Sequence, residues 1–267
     1  MEVALASEFR YCDPIVSSRT LALVISQSGE TIDTLAALRE ARRRGARVLS
    51  VVNVVGSTIA RESDEVLYTW AGPEIAVATT KAYSTQLALV DLIALYAARQ
   101  MGTIPDAEYA AAVAALEGLP ELLERVLEQR EQIQYLASLY FNHPSVFFIG
   151  RNLDYAVGLE GSLKLKEISY LHSEAYAAGE LKHGTISLIE NGTLVVALAG
   201  YAPLFEKTMS NVVEVKSRGV RRAGPDHGGF EKPMSSVNHT SQCPRPIPCC
   251  SPPWRWCPCS CLPTTWP

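Results

Sequence analysis

A serine-rich hexapeptide, Ser-Gln-Ser-Gly-Glu-Thr at residues 26–31, is the segment of this sequence best suited to hold an anion. It follows the apolar run 21–25 and precedes a helical pattern, so it lies where a strand ends and a helix begins. Open α/β sheets bind ligands at that point, because unpaired backbone N–H groups there favour a phosphate and the hydroxyls add donors. A serine-rich cap that only starts a helix explains the pattern equally well.

Three charged residues, Glu160, Lys164 and Glu167, repeat at helical spacing and fall in one row on a helix. Spacing alone favours a solvated helix face with salt bridges. If the row instead faces a pocket, Glu167 becomes a candidate proton-transfer base and Lys164 its neighbour. His183 follows a stretch of small residues at 175–179 and, taken alone, is typical of a surface histidine in a loop.

Alternating apolar runs and helical patterns must position these residues. The first part of the chain predicts strands over 21–25, 47–52 and 65–68 and helices over 32–44 and 80–99. The residues Val3, Ala4 and Leu5 are expected to add a strand to the same sheet.

The alternation then pauses and resumes. A helical segment over 106–139, split by Pro120 into two helices, is followed by predicted strands over 145–149 and 193–198 and predicted helices over 154–169 and 203–218. The whole pattern predicts an α/β fold, with two doubly wound parallel-sheet lobes joined by a helical connector.

Composition narrows the classes of partner. The net charge of −4 argues against a protein that holds nucleic acid by its phosphates. The chain has no apolar run of the ~18 residues that a membrane span needs, and its acidic start does not resemble a signal peptide. We therefore expect a cytoplasmic protein with no nucleic-acid partner and no membrane partner.

All cysteines but one lie near the end of the chain. Apart from Cys12, they all lie between Cys243 and Cys261, where prolines and tryptophans also concentrate. Their spacing lacks the paired C-x₂-C set of a zinc site, and a disulfide knot attached to an almost cysteine-free body is unusual. We expect residues 220–267 to be an aberrant, unfolded tail translated out of frame, because cysteine, proline and tryptophan all become frequent there. Other frames of the same codons permit an apolar strand with a polar turn and, further on, a helix-like segment.

Three segments together resemble one enzyme family: 26–31, 77–82 and the long block 159–184. They are similar to the isomerase half of the glucosamine-6-phosphate synthases, which are glutamine–fructose-6-phosphate transaminases (isomerizing). That half is built from two sugar isomerase (SIS) domains. The resemblance covers residue 1 to about residue 219, and the long block is specific to the synthases. The short Ser-x-Ser-Gly motif alone would indicate only some SIS domain.

The resemblance implies roles for individual residues. The residues that match those holding the sugar phosphate are Ser26, Gln27, Ser28 and Thr31. Val77 matches a backbone contact to the sugar, and Thr79 stands where the family often has serine. Glu167 matches the base that moves a proton between C1 and C2, Lys164 its neighbour, and His183 the residue associated with opening the fructose ring. The implied reaction forms glucosamine 6-phosphate from fructose 6-phosphate, without a metal or other cofactor, in a homodimer.

The family pattern also implies what this chain lacks. We expect no glutaminase domain and no family lysine that closes over the sugar. We expect three family regions: an N-terminally incomplete first SIS domain over 1–103, a helical connector over 104–141 and a C-terminally incomplete second SIS domain over 142–219. Such a chain would recognise a hexose 6-phosphate without using glutamine. One alternative is a non-catalytic SIS module that binds a sugar phosphate and regulates a partner, and another is an unstable fragment without function. Only the enzyme needs Glu167 and His183 together.

Overall fold

The computed structural model describes residues 1–190 and 193–218. Contacts within the chain define two compact units, the first ending at Thr103 and the second beginning at Ile104. The predicted tail over 220–267, with its zinc and disulfide alternatives, lies outside the described residues. None of the helices in the described ranges is both long enough and apolar enough to cross a membrane.

The first unit is built on a parallel three-stranded sheet. Its elements in chain order are α1 (Ala6–Phe9), β1 (Leu21–Ser26), α2 (Ile32–Arg43), β2 (Arg47–Val52), α3 (Thr58–Glu62), β3 (Glu65–Tyr68) and α4 (Lys81–Gln100). The strand order is β1-β2-β3, and the register pairs Ser26 with Val52 and Val52 with Tyr68. The three strands therefore end together at one edge of the sheet.

The core of this unit lies between the sheet and the helices α2 and α3. Leu38, Val48, Val52 and Ile59 are inaccessible to solvent and form one apolar cluster. Side chains alternate between the faces of a strand, so Leu21, Leu23 and Ile25 of β1 point to the other face and are exposed.

The predicted strand at Val3, Ala4 and Leu5 is wrong. These residues pair with no strand of the sheet in the described structure, and all three are exposed. The Leu5 carbonyl instead accepts hydrogen bonds from the N–H groups of Glu8 and Phe9, which starts α1. A backbone carbonyl used in a helical turn is not available to a sheet ladder.

The second unit has three helices followed by another parallel sheet. Its elements are α5 (Asp106–Glu117), α6 (Leu119–Leu127), α7 (Arg130–Tyr140), β4 (Ser145–Gly150), α8 (Leu153–Ser169), β5 (His172–Ala177), β6 (Leu194–Ala197) and α9 (Phe205–Ser217). Short 3₁₀ turns cover Leu181–His183, Thr185–Leu188 and Ala202–Leu204. The strand order is β5-β4-β6.

Helical segments cover both faces of this second sheet. A Cβ on Gly158 of α8 would lie 3.6 Å from the Cβ of Phe148, so α8 packs closely on the Phe148 face of β4. The next residue, Ile149, points to the opposite face and packs with Leu181, Val212 and Val215. The predicted class, an α/β fold with parallel sheets flanked by helices, is confirmed.

Two details of the second unit differ from the prediction. The region after residue 104 forms three helices instead of two, with breaks at Gly118 and at residues 128–129. Pro120 accounts only for the first break, since it lies in the first turn of α6, where its missing N–H costs nothing. The strand His172–Ala177 was not predicted, and His183 ends a 3₁₀ turn instead of lying in an irregular loop.

Gly150, at the end of β4, provides a test of how closely the second sheet packs against α8. A Cβ there would lie 2.6 Å from the carbonyl carbon of Asp154, which neither backbone segment can accommodate without moving. We expect Gly150→Ala to lower the free energy of unfolding by about 2–3 kcal/mol, as overpacking does. Urea denaturation followed by circular dichroism measures this loss.

Gly118→Ala is the matched control, because its Cβ would make only ordinary contacts of 3.6 Å with helix carbonyls. This control should change the free energy of unfolding by no more than about 0.5 kcal/mol. Equal denaturation midpoints for the two variants would contradict the close approach at Gly150.

Candidate functional site

The serine-rich turn (residues 26–31) joins the end of β1 to the start of α2. Ser26 is buried, and its Oγ accepts the Gly29 N–H at 3.1 Å and lies 3.2 Å from Thr31 Oγ1. The Oγ of Ser28 accepts the Glu30 N–H at 3.2 Å. Gly29 has a φ of +65°, a left-handed conformation that a residue with a side chain rarely adopts. The turn therefore brings the hydroxyls of Ser26 and Thr31 together.

These hydroxyls do not cap the helix that follows. Thr31 occupies the N-cap position of α2, yet its side chain makes no capping hydrogen bond. The N–H groups in the first turn of a helix have no partner within the helix. Together with the neighbouring hydroxyls, they form a group of neutral donors at the carboxyl edge of the sheet. This arrangement suits an anion better than it suits a simple capping role.

Asn53, which the sequence analysis did not single out, supports the turn from the neighbouring strand. It follows β2 directly, and its N–H donates to the Gln27 carbonyl at 3.0 Å. Its Oδ1 accepts from Thr69 Oγ1 at 3.0 Å and from the Ala71 N–H at 2.9 Å. Asn53 thus connects the segments that follow all three strands. A polar residue directly after a buried strand was the signal available in the sequence.

Val77 and Thr79, the other residues matched to sugar contacts, lie in the segment between β3 and α4. The Val77 side chain is 96% exposed. Within the described ranges, no hydrogen bond joins either residue to the serine-rich turn. The structure places them in the same compact unit as the turn but does not bring them into contact with it.

The row of charged residues on α8 forms one ion cluster. The Nζ of Lys164 lies 2.5 Å from Glu167 Oε2 and 3.6 Å from Glu160 Oε1. The side chain of Lys164 is only 13% exposed, so this cluster is more enclosed than a solvated helix face. Burial raises the pKa of Glu160, and the positive charge of Lys164 opposes that rise. The structure therefore brings Lys164 and Glu167 together, as the family pattern implies.

His183 lies far from this cluster within the same chain. Glu167 is in the last turn of α8, which runs back along the Phe148 face to the edge where the strands begin. His183 follows the end of β5, and its neighbour Leu181 packs on the Ile149 face. The strands between these edges have six residues, which span roughly 20 Å. One chain thus holds Glu167 and His183 at opposite edges and on opposite faces of the sheet.

The carboxyl edge of the second sheet is occupied by other side chains. Arg151 follows β4, and its Nε and Nη2 donate to Asn211 Oδ1 at 3.1 and 2.9 Å. Asp154 is buried, accepts the Tyr201 N–H at 3.0 Å, and has its pKa raised by that burial. Both side chains are thus engaged in contacts within this unit. In the part of the chain that the structure describes, no group of three or more His, Cys, Asp or Glu residues could hold a metal ion.

Comparison with known proteins agrees with the geometry. A model of the SIS domain matches residues 1–96 and 139–224, so the chain belongs to the SIS domain family. Among curated proteins, glutamine–fructose-6-phosphate aminotransferase [isomerizing] of Caldanaerobacter subterraneus subsp. tengcongensis is 60% identical over 219 residues. The protein of the same name from Clostridium tetani is 55% identical over 245 residues. The resemblance found in the sequence is thus confirmed.

Solved structures give the same family. The C-terminal domain of glucosamine-fructose-6-phosphate aminotransferase from Francisella tularensis matches with a TM-score of 0.79 and 39% identity, over 82% of this chain and 62% of that one. Glucosamine-6-phosphate deaminase from Thermotoga maritima matches with a TM-score of 0.64 and 26% identity, over 80% of this chain and 63% of that one.

The match to the curated relatives covers most of this chain but a minor part of theirs. It extends over 82% of this chain and 36% of the Caldanaerobacter protein, and over 92% of this chain and 40% of the Clostridium tetani protein. The chain therefore spans little more than a third of the length of these relatives.

Removing the amine from the ion cluster tests its electrostatics. In Lys164→Met, Glu160 and Glu167 lose the cation between them, so we expect the pKa of Glu160 to rise further. A carboxyl group whose pKa is raised on folding destabilises the fold above its unfolded-state pKa, and this cost disappears as the pH falls. The variant should therefore lose about 1 kcal/mol of stability at pH 7 and less than that near pH 4.

Carbon-detected NMR titration of the glutamate carboxyl groups and urea denaturation at both pH values provide the measurements. Lys166→Met is the control, since Lys166 is an exposed cation on the same helix with no ion pair in the described structure. A Glu160 pKa that is the same in the wild-type chain and in Lys164→Met would show that the cluster does not form.

Proposed function

We propose that this chain is the sugar-phosphate isomerase part of a glutamine–fructose-6-phosphate aminotransferase and that it binds fructose 6-phosphate. The observation that carries this proposal is the serine-rich turn. It places the hydroxyls of Ser26 and Thr31, and the free N–H groups of α2, at the carboxyl edge of a parallel sheet. The names of the relatives support fructose 6-phosphate as the ligand of such a site.

In this proposal the turn anchors the phosphate and Glu167 transfers the proton. Anchoring the phosphate fixes the open-chain sugar, which converts proton transfer into a step between positioned groups. The Glu167 carboxylate takes a proton from C1 of the open-chain ketose to give an enediol, and the resulting acid returns the proton to C2. A second proton passes from the C1 hydroxyl to the C2 oxygen, so the product is the aldose. Lys164 positions the Glu167 carboxylate through the ion pair in which Nζ lies 2.5 Å from Oε2. His183 would assist opening of the fructose ring.

We further propose that the working unit is a cytoplasmic homodimer. A single chain keeps Glu167 and His183 at opposite edges and on opposite faces of the second sheet. A site that needs both residues therefore takes one from each of two copies. A twofold dimer supplies two such sites, because each copy gives its glutamate to one site and its histidine to the other.

The same separation supports a second candidate function. A chain that remains a monomer would bind a sugar phosphate at the serine-rich turn without completing a catalytic pair. It would then act as a non-catalytic module that reports the concentration of the sugar phosphate to a partner. Binding without isomerisation is the result that favours this function over the enzyme.

Binding to the turn is the first test. We expect the chain to bind fructose 6-phosphate at least about tenfold more tightly than fructose, because only the phosphate uses the donors of the turn. The triple variant Ser26→Ala/Ser28→Ala/Thr31→Ala should lose that preference. Isothermal titration calorimetry of the full chain measures both affinities.

The control is Ser187→Ala/Ser217→Ala, which removes exposed hydroxyls from the second unit. This variant should keep the wild-type preference for the phosphorylated sugar. Equal affinity of the wild-type chain for the two sugars, or an unaltered preference in the triple variant, would exclude the turn as a phosphate site.

Isomerisation tests the catalytic pair. We expect Glu167→Gln to lower the rate of conversion of fructose 6-phosphate to glucose 6-phosphate by at least ~10²-fold, with binding preserved, because the amide is no base. His183→Asn should also lower the rate. Mixing these two inactive variants should restore about a quarter of the wild-type rate, since half of the dimers are mixed and each mixed dimer has one intact site.

Mixing Glu167→Gln with the double variant Glu167→Gln/His183→Asn is the control, because no combination of these chains has an intact site. A coupled assay for glucose 6-phosphate gives the rates. If Glu167→Gln isomerises as fast as the wild-type chain, the cluster on α8 is only structural. No isomerisation by a wild-type chain that binds the sugar would favour the non-catalytic module.

A further inference from the structure

Glu30 is an acidic residue inside the turn proposed to bind a phosphate dianion. An unpaired carboxylate at this position would repel the ligand. In the structure, however, Glu30 Oε1 accepts the N–H of Thr58 at 2.7 Å. Thr58 is the first residue of α3 and lies 28 positions further along the chain. The carboxylate thus makes a long-range contact that local sequence patterns do not reveal.

Two more contacts join the turn to α3 at the same place. The Gly29 carbonyl accepts the Ile59 N–H at 3.0 Å. The Cα of Gly29 packs directly on Ser57, since a Cβ on Gly29 would lie 2.0 Å from Ser57 Oγ. Residues 29–30 therefore meet residues 57–59 through two hydrogen bonds and one close packing contact. We call this set of contacts the turn clamp.

The charge of Glu30 is balanced within the clamp. The hydrogen bond from the Thr58 backbone N–H is the largest cause that lowers the pKa of Glu30, and the positive charge of Arg61 adds to it. Arg61 in turn donates to Thr58 Oγ1 at 3.0 Å. Glu30 is therefore ionised at neutral pH, with its charge directed to a backbone donor and a nearby guanidinium.

We propose that Glu30 is a positioning residue that holds the serine-rich turn in its phosphate-binding shape through the Thr58 N–H. This role rests on the proposed function of the turn. Glu30 does not contact the sugar phosphate. It fixes the backbone on either side of Gly29, so that the hydroxyls of Ser26 and Thr31 stay together, and it keeps its own charge bound to α3. Ser57 is part of the turn clamp, since its side chain fills the space beside Gly29.

Three variants of the full chain separate positioning from simple charge. Glu30→Ala removes the acceptor, and we expect the affinity for fructose 6-phosphate to fall about tenfold. Glu30→Gln keeps an acceptor for the Thr58 N–H and should stay within about threefold of the wild-type affinity. Thr58→Pro removes the donor but leaves Glu30 intact. Proline is tolerated at the first position of a helix, so this variant should fold and should weaken binding at least as much as Glu30→Ala.

Asp33→Ala is the matched control. Asp33 is also acidic and lies in the first turn of α2, but in the described structure it pairs with Arg10 and makes no hydrogen bond or ion pair with α3. Removing its charge should leave phosphate binding unchanged or tighten it slightly. If Glu30 acts only as a nearby negative charge, Glu30→Ala and Glu30→Gln will both tighten binding, as Asp33→Ala does. That result would overturn the proposal.

The amide signal of Thr58 in an NMR spectrum tests, without any ligand, whether Glu30 accepts the Thr58 N–H. In the wild-type chain, its chemical shift should follow the titration of Glu30 at acidic pH. In Glu30→Ala this titration should be lost. A Thr58 amide that is indifferent to Glu30, together with specific binding of fructose 6-phosphate, would overturn the clamp and leave the proposed function standing. A titrating Thr58 amide in a chain that binds fructose and fructose 6-phosphate equally would overturn the proposed function, and with it the role of Glu30.

Discussion

Parallel strand pairing determines at which edge of each sheet the candidate binding and catalytic residues lie. β1, β2 and β3 end together at Ser26, Val52 and Tyr68, and the backbone groups beyond these residues have no ladder partners. In the first unit, the serine-rich turn and Asn53 occupy that edge and bind each other's backbone. An antiparallel β2 would carry its carboxyl end, and Asn53 with it, to the opposite edge. The support of the turn therefore depends on the direction of one strand.

The same pairing separates the residues matched to catalysis in the second unit. A helix that connects parallel strands must run back along the sheet, so the last turn of α8 lies at the edge where the strands begin. Lys164 and Glu167 are therefore far from the carboxyl edge, where open α/β sheets ordinarily hold ligands. At that edge, Arg151 and Asp154 bind Asn211 and the Tyr201 backbone instead. The proposed catalytic base therefore lies at the amino edge of this sheet.

The sequence predicts the elements that have their own local signal. β2 and β3 have the predicted bounds, because apolar runs between turn residues are typical of buried parallel strands. The strand His172–Ala177 contains histidine, serine and glutamate in place of an apolar run, so its sequence does not predict a strand. It is a strand because it pairs with β4. For the site, spacing predicts the row of Glu160, Lys164 and Glu167. Spacing carries no information on contacts between distant segments, and for this reason Asn53 and the bond from Thr58 to Glu30 were not found.

The shape of the turn matters more here than the total charge of its surroundings. The first unit has many arginines around α2, but they are engaged with carboxylates. The pairs are Arg39 with Glu62, Arg42 with Asp64, Arg43 with Glu40, Arg44 with Glu40 and Asp13, and Arg47 with Glu65. The turn itself contains no basic residue. A phosphate held there depends on neutral hydroxyl and backbone N–H donors, whose strength falls steeply with poor alignment. If the turn binds a phosphate as proposed, we expect the contacts that fix the backbone at Gln27 and Gly29 to affect its affinity more than any nearby cation does.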